Sequence, residues 1–131
     1  MTAWRVRAAR RLRRTREDRG QVAVEFLGML PLVLVTLVVL WQCALVGFTY
    51  TLAGNAADQA ARAGAAGGAG ACARGGRSDL GASWRASARI GCGEAPGLYR
   101  ARVTLAVPVL FPGAVAFPFR VTGEAAAAKE D

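Results

Sequence analysis

The sequence predicts an α+β membrane protein: one long N-terminal transmembrane helix extends into a stalk, followed by a small extracytoplasmic head with a short helix and a β-hairpin. Three observations predict it. Phe26 to Phe48 is an apolar run, and after Glu25 no charged residue occurs before Asp58. Eight arginines crowd the residues ahead of that run. From Leu98 the apolar period changes to two, the period of a half-buried strand.

As a helix, the run from Phe26 to Phe48 spans about 35 Å at roughly 1.5 Å per residue, enough to cross a hydrocarbon core about 30 Å thick. A secretory signal is excluded because its apolar region is only about 7 to 15 residues and ends in a small-residue cleavage site. A buried core helix is excluded because the rest of the chain offers too little apolar material to cover it. Pro31 falls inside the run and predicts a kink or local unwinding. Gln42 and Cys43 also lie within it, Gln42 as an interfacial or helix-contact group and Cys43 as a small packing residue.

The arginines ahead of the run are Arg5, Arg7, Arg10, Arg11, Arg13, Arg14, Arg16 and Arg19, against Glu17 and Asp18. Cationic residues near the end of a transmembrane helix stay on the cytoplasmic side, so the N-terminus is expected inside and the chain after residue 50 outside. The net charge of +8 also raises nucleic-acid binding. Beyond the leader, however, eight arginines and one lysine face seven acidic residues. The basicity belongs to topology, and no nucleic acid is expected as a partner.

Arg19-Gly20-Gln21-Val22-Ala23-Val24-Glu25-Phe26 resembles a type IV prepilin cleavage site. The resemblance implies that Gly20 ends a leader removed by a membrane prepilin peptidase. Gln21 becomes the new N-terminus, and Glu25 stands at the fifth mature position, where it serves assembly. Gln21 departs from the Phe or Met frequent at the first mature position. Gly20, Ala23-Val24-Glu25-Phe26 and Leu30-Pro31 together resemble the TadE-like family of pilin-like proteins of the tight-adherence pilus assembly system. Read without that resemblance, Gly20 is a plain helix residue and Glu25 a carboxylate at the edge of the membrane.

Thr49 to Ala66 contains no proline and is rich in alanine, so the helix is expected to leave the membrane as a stalk. Asn55-Ala56-Ala57-Asp58-Gln59-Ala60-Ala61-Arg62 is similar to the region after the membrane helix in TadE-like proteins. Ala53, Ala56, Ala60 and Ala63 recur three or four apart and would let a partner helix approach closely. Gly64 to Gly76, dense in glycine and alanine, predicts a flexible loop. Ser78 is a plausible N-cap for a helix from Asp79 to Ile90, with Leu80, Trp84 and Ala88 on one face and Arg85 and Arg89 on the other.

Cys72 and Cys92 bracket that helix on the side expected to be oxidising, and a disulfide is the natural reading. Two thiols, with no histidine anywhere in the chain, are too few soft ligands for structural zinc. Along the strand, Tyr99, Ala101, Val103, Leu105 and Val107 are expected to face one way and Arg100, Arg102, Thr104 and Ala106 the other. Pro108 should end the strand or place it at an edge. Pro112-Gly113 signals a turn, and Phe117, Phe119 and Val121 alternate beyond it to complete the hairpin. Val103-Thr104, Pro108 to Pro112 and Val121 to Ala125 look like the C-terminal hairpin of TadE-like proteins, so the resemblance spans about residues 20 to 125. The alanine-rich tail from Ala125 is expected to be frayed.

These readings divide the chain into a basic cytoplasmic leader over 1–20, a transmembrane helix over 21–48, a stalk over 49–66, a head over 67–125 and a tail over 126–131. No catalytic constellation, cofactor site or metal site is expected, and no small-molecule substrate. The expected function is that of a pilin-like structural subunit in the cell membrane, single-pass. Its partners would be the prepilin peptidase, other pilin-like subunits and the pilus assembly machinery. The alternative is a permanently anchored extracytoplasmic binding or envelope protein that never assembles.

Overall fold

The computed structural model describes residues 2–111 and 115–129, with side chains described over 17–111 and 119–129. Five elements follow one another: α1 (Thr2–Arg77), α2 (Ala82–Arg85), β1 (Arg89–Ala95), β2 (Leu98–Val109) and β3 (Val115–Ala128). The chain divides into two compact units, Met1–Val39 and Leu40–Asp131.

The first unit is helical. Large apolar side chains from Val22 to Val39 stand exposed on every face, as expected of a helix whose solvent is lipid. It is the one candidate membrane span among the described residues, and it fits a single-pass membrane protein. Pro31 does not unwind it: the backbone dihedrals remain helical there. The ring's fixed φ is itself compatible with a helix, so the missing N–H alone does not break the turn.

In the second unit α1 continues from Leu40 and then reverses. Gly68 (φ 81°, ψ −167°) is the residue at which α1 leaves helical geometry. A Cβ placed on Gly75 would lie 2.8 Å from Ala63 Cβ and 3.1 Å from the Gln59 carbonyl oxygen. On an unbroken helix residues 63 and 75 would be about 18 Å apart. The segment after Gly68 therefore folds back on the segment before it. This corrects the expected loop over Gly64 to Gly76: apart from Gly68 the stretch is helical. Its glycines and alanines form the contact surface, and tertiary packing overrides their weak propensity.

A three-stranded antiparallel sheet of order β1-β2-β3 covers the rest of the helix. Tyr99, Ala101, Val103, Leu105 and Val107 of β2 are buried, as their alternation predicts. They pack with Val121 against Ala53, Ala56, Ala57, Ala60 and Ala61 of α1, all buried. The small-residue stripe is thus taken up by the chain's own head. Ala53 and Ala56 meet the sheet, while Ala60 and Ala63 face Gly76 and Gly75 of the returning helix.

Four further expectations are corrected. The helix expected over Asp79 to Ile90 is a single turn, α2, capped by Gly81. Ser78 does not cap it; its Oγ lies 3.0 Å from Gln59 Oε1 and 2.9 Å from the Gly75 carbonyl. Leu80, Trp84 and Ala88 still pack into the core, Trp84 from α2, Leu80 from just after a turn and Ala88 from just before β1. Arg89–Ala95 is a strand, joined to β2 by Pro96-Gly97 with Gly97 at φ 71°, the type II turn pattern. The tail is ordered, since Ala125 to Ala128 pair with Ala101 to Leu98. Ala106, expected outward, is 6% exposed, because the Ser87 segment lies beside it and Ser87 Oγ accepts its N–H at 3.3 Å. The Pro112-Gly113 turn lies outside the described residues.

Candidate functional site

Two regions carry side chains whose role packing does not explain. The first lies in the N-terminal unit. Gly20, Gln21 and Glu25 are all exposed on α1, and a Cβ on Gly20 would meet nothing within 4 Å. Glu25 follows Gln21 by four residues, one helical turn, so the two share a face. The peptide bond between Gly20 and Gln21 is itself helical.

The second region lies in the head, where β2 outruns β1. The pairing of β1 stops at Thr104, while β2 continues to Val109. Past that point the free edge of β2 is completed by side chains at alternate residues. Ser87 Oγ takes the N–H of Ala106. The Gln42 amide then does the work of a neighbouring strand: its Nε2 donates to the Pro108 carbonyl at 3.0 Å, and its Oε1 accepts the Leu110 N–H at 3.0 Å. Trp41 Nε1 donates to the Leu110 carbonyl at 2.6 Å. Pro108 tolerates this position because its missing N–H falls where no β1 residue is available, and a register shift between Ala106 and Pro108 accommodates it. The strand therefore passes Pro108, at a local edge.

Leu110 has φ 59°, unusual for a bulky side chain, and Phe111 N–H bonds back to the Val109 carbonyl at 2.6 Å. This three-residue turn with a positive central φ is a strained form. The two side chains of α1 hold it. Higher on the helix, Trp84 Nε1 donates to Thr49 Oγ1 at 3.2 Å, and its ring lies 5.6 Å from that of Phe48.

Cys72, on the returning helix, and Cys92, on β1, form the expected disulfide. Cys43 is free and exposed. No group of acidic and cysteine residues able to hold a metal occurs among the described residues.

One comparison bears on the first region. Residues 20–62 match the TadE-like protein family. No curated protein and no solved structure matches the chain. The TadE-like segment begins at Gly20, contains Glu25 and the whole apolar run, and closes at Arg62, which pairs with Asp58 at 3.1 Å on the exposed face of α1. The match covers about a third of the chain. The hairpin from Val103 lies beyond the match.

Sequence reasoning missed the Trp41–Gln42 clamp, the reversal at Gly68 and strand β1. A polar amide and an indole side by side near the end of an apolar run were a signal for the clamp, and Pro96-Gly97 was a signal for the β1–β2 turn.

Proposed function

We propose that the chain is a pilin-like structural subunit of a bacterial tight-adherence pilus assembly system, cut after Gly20 by a membrane prepilin peptidase. The observation that carries this reading is that the TadE-like match starts at Gly20, the residue that would end the leader, and includes Glu25 and the apolar helix. The chain acts without catalysis in this reading. Its partners are the membrane, the peptidase, other pilin-like subunits and the assembly machinery. The arginine-rich leader stays cytoplasmic and the head faces outward.

Cleavage changes the electrostatics of the helix start. It removes Arg16 and Arg19 and creates an α-amino group on Gln21, largely cationic at neutral pH. Glu25 then sits one turn from a helix N-terminus, where the macrodipole favours a carboxylate. The amine and carboxylate of neighbouring subunits can pair in a low-dielectric setting, where losing one partner is expensive.

One observation favours the permanently anchored alternative. The small-residue stripe at Ala53 to Ala61 is already covered by the head and is not free for a second helix. The mass and N-terminal sequence of the protein extracted from membranes separate the two readings. A mature chain starting at Gln21 is expected; a chain that retains residues 1–20 would overturn the pilin-like reading.

A further inference from the structure

The end of the head formed by Trp41, Leu110 and Phe111 is apolar and exposed, at 53%, 40% and 66% of their surfaces. It is also uncharged: no charged residue occurs between Arg102 and Arg120 in the sequence. Among the described residues, five of its backbone groups are paired. The Pro108 carbonyl and Leu110 N–H are held by Gln42, the Leu110 carbonyl by Trp41, and the Val109 carbonyl by Phe111 N–H. A turn in water has no need of this, because water satisfies free carbonyls and amides. A turn facing the bilayer does, since each unpaired backbone group there is costly.

We propose that this tip is a lipid-docking surface through which the head rests in the interfacial layer of the bilayer. The proposal rests on the apolar helix being a membrane span. Trp41 follows Val39 by two positions on α1, and the large apolar side chains from Val22 to Leu40 are exposed except the half-buried Leu30. Those 19 residues rise about 28 Å, close to a hydrocarbon core of about 30 Å. Trp41 then falls at the depth where tryptophan is enriched. Leu110 and Phe111, fixed to Trp41 and Gln42, share that depth.

The test uses the full chain with Cys43→Ala, reconstituted in phosphatidylcholine vesicles. Single cysteines at Phe111, Val35 or Ala126 carry a fluorophore, and an intact Cys72–Cys92 bond is verified by mass. Quenching of the 111 label by nitroxide lipids severalfold above the 126 label, together with quenching at 35, is expected. Lipid quenching at 35 with iodide quenching at 111 would overturn the docking while leaving the span. Protection of 111 from both quenchers would mean a protein occupant, such as a second copy, and would also overturn it. Absence of lipid quenching at 35 would remove the span and the docking together. Hydroxyl-radical footprinting of the unmodified chain in the same vesicles gives an independent readout. Phe111 and Tyr50 are comparably exposed, at 66% and 62%. Protection of Phe111 alone is expected, and equal oxidation of the two would refute the docking.

Discussion

Gly123 shows how closely the sheet sits on the helix. A Cβ there would come within 2.5 Å of the Ala53 carbonyl carbon and oxygen and 2.6 Å of the Gly54 nitrogen, all backbone atoms that cannot rotate away. Gly123→Ala must therefore push β3 off α1, and overpacking of this kind costs typically about 1–3 kcal/mol. Gly93→Ala is the comparison, since nothing lies within 4 Å of its Cβ position. Thermal unfolding in detergent should show the first variant clearly destabilised and the second near the parent; equal midpoints would mean that the sheet does not pack here as described. The same closeness explains the alanines at 53, 56, 57, 60 and 61, whose small side chains keep helix and sheet in contact. Their spacing was legible in the sequence. What covers them was not, because a small-residue stripe fits a helix, a sheet or a second chain equally well.

The element that sequence patterns could not resolve is the returning helix. Gly64 to Gly76 reads as a loop on composition, and the glycines that weaken an isolated helix are those that permit this one to pack: a Cβ on Gly76 would meet Ile90 Cδ1 at 2.7 Å and Ala60 Cβ at 3.2 Å. By contrast β2 was legible residue by residue, since burial on one face imposes strict alternation. The short strand β1 was not, because its burial alternates only weakly and its glycines carry no pattern. The reversal depends on Gly68, whose φ 81° and ψ −167° lie in a region essentially reserved for glycine. Gly68→Ala strains this point by about 1–3 kcal/mol. An unbroken helix would relieve the strain, but the Cys72–Cys92 bond opposes it by holding residue 72 to β1. Closing a loop of that size contributes about 3 kcal/mol in the chain-entropy model. Gly68→Ala should therefore remain folded when oxidised and release residues 69–77 when reduced. Hydrogen exchange read at those amides tests this; unchanged protection after reduction would show that the small-residue contacts suffice without the bond.

At the scale of the whole molecule, Glu25 is the one charged residue between Arg19 and Asp58, and the apolar run makes it expensive. An ionised group at the centre of a membrane helix costs about 2.5–3.5 kcal/mol on the insertion scale, and less towards an interface. Glutamine at that position lowers the insertion penalty and has nearly the same shape, so insertion and cleavage should be unimpaired in Glu25→Gln. What the variant lacks is the negative charge that a cationic Gln21 amine on a neighbouring subunit would meet. Leaving that amine unpaired in a low-dielectric environment costs more than the pair itself yields, which makes the loss one-sided. The Glu25→Gln chain should therefore accumulate in its cleaved form yet fail to cross-link or co-purify with other pilin-like subunits. Glu25→Asp, with the charge retained one methylene shorter, should recover part of the association. Undiminished association of cleaved Glu25→Gln would remove the pairing mechanism. Loss of association in Glu25→Asp equal to that in Glu25→Gln would show that side-chain length, not charge alone, sets the contact.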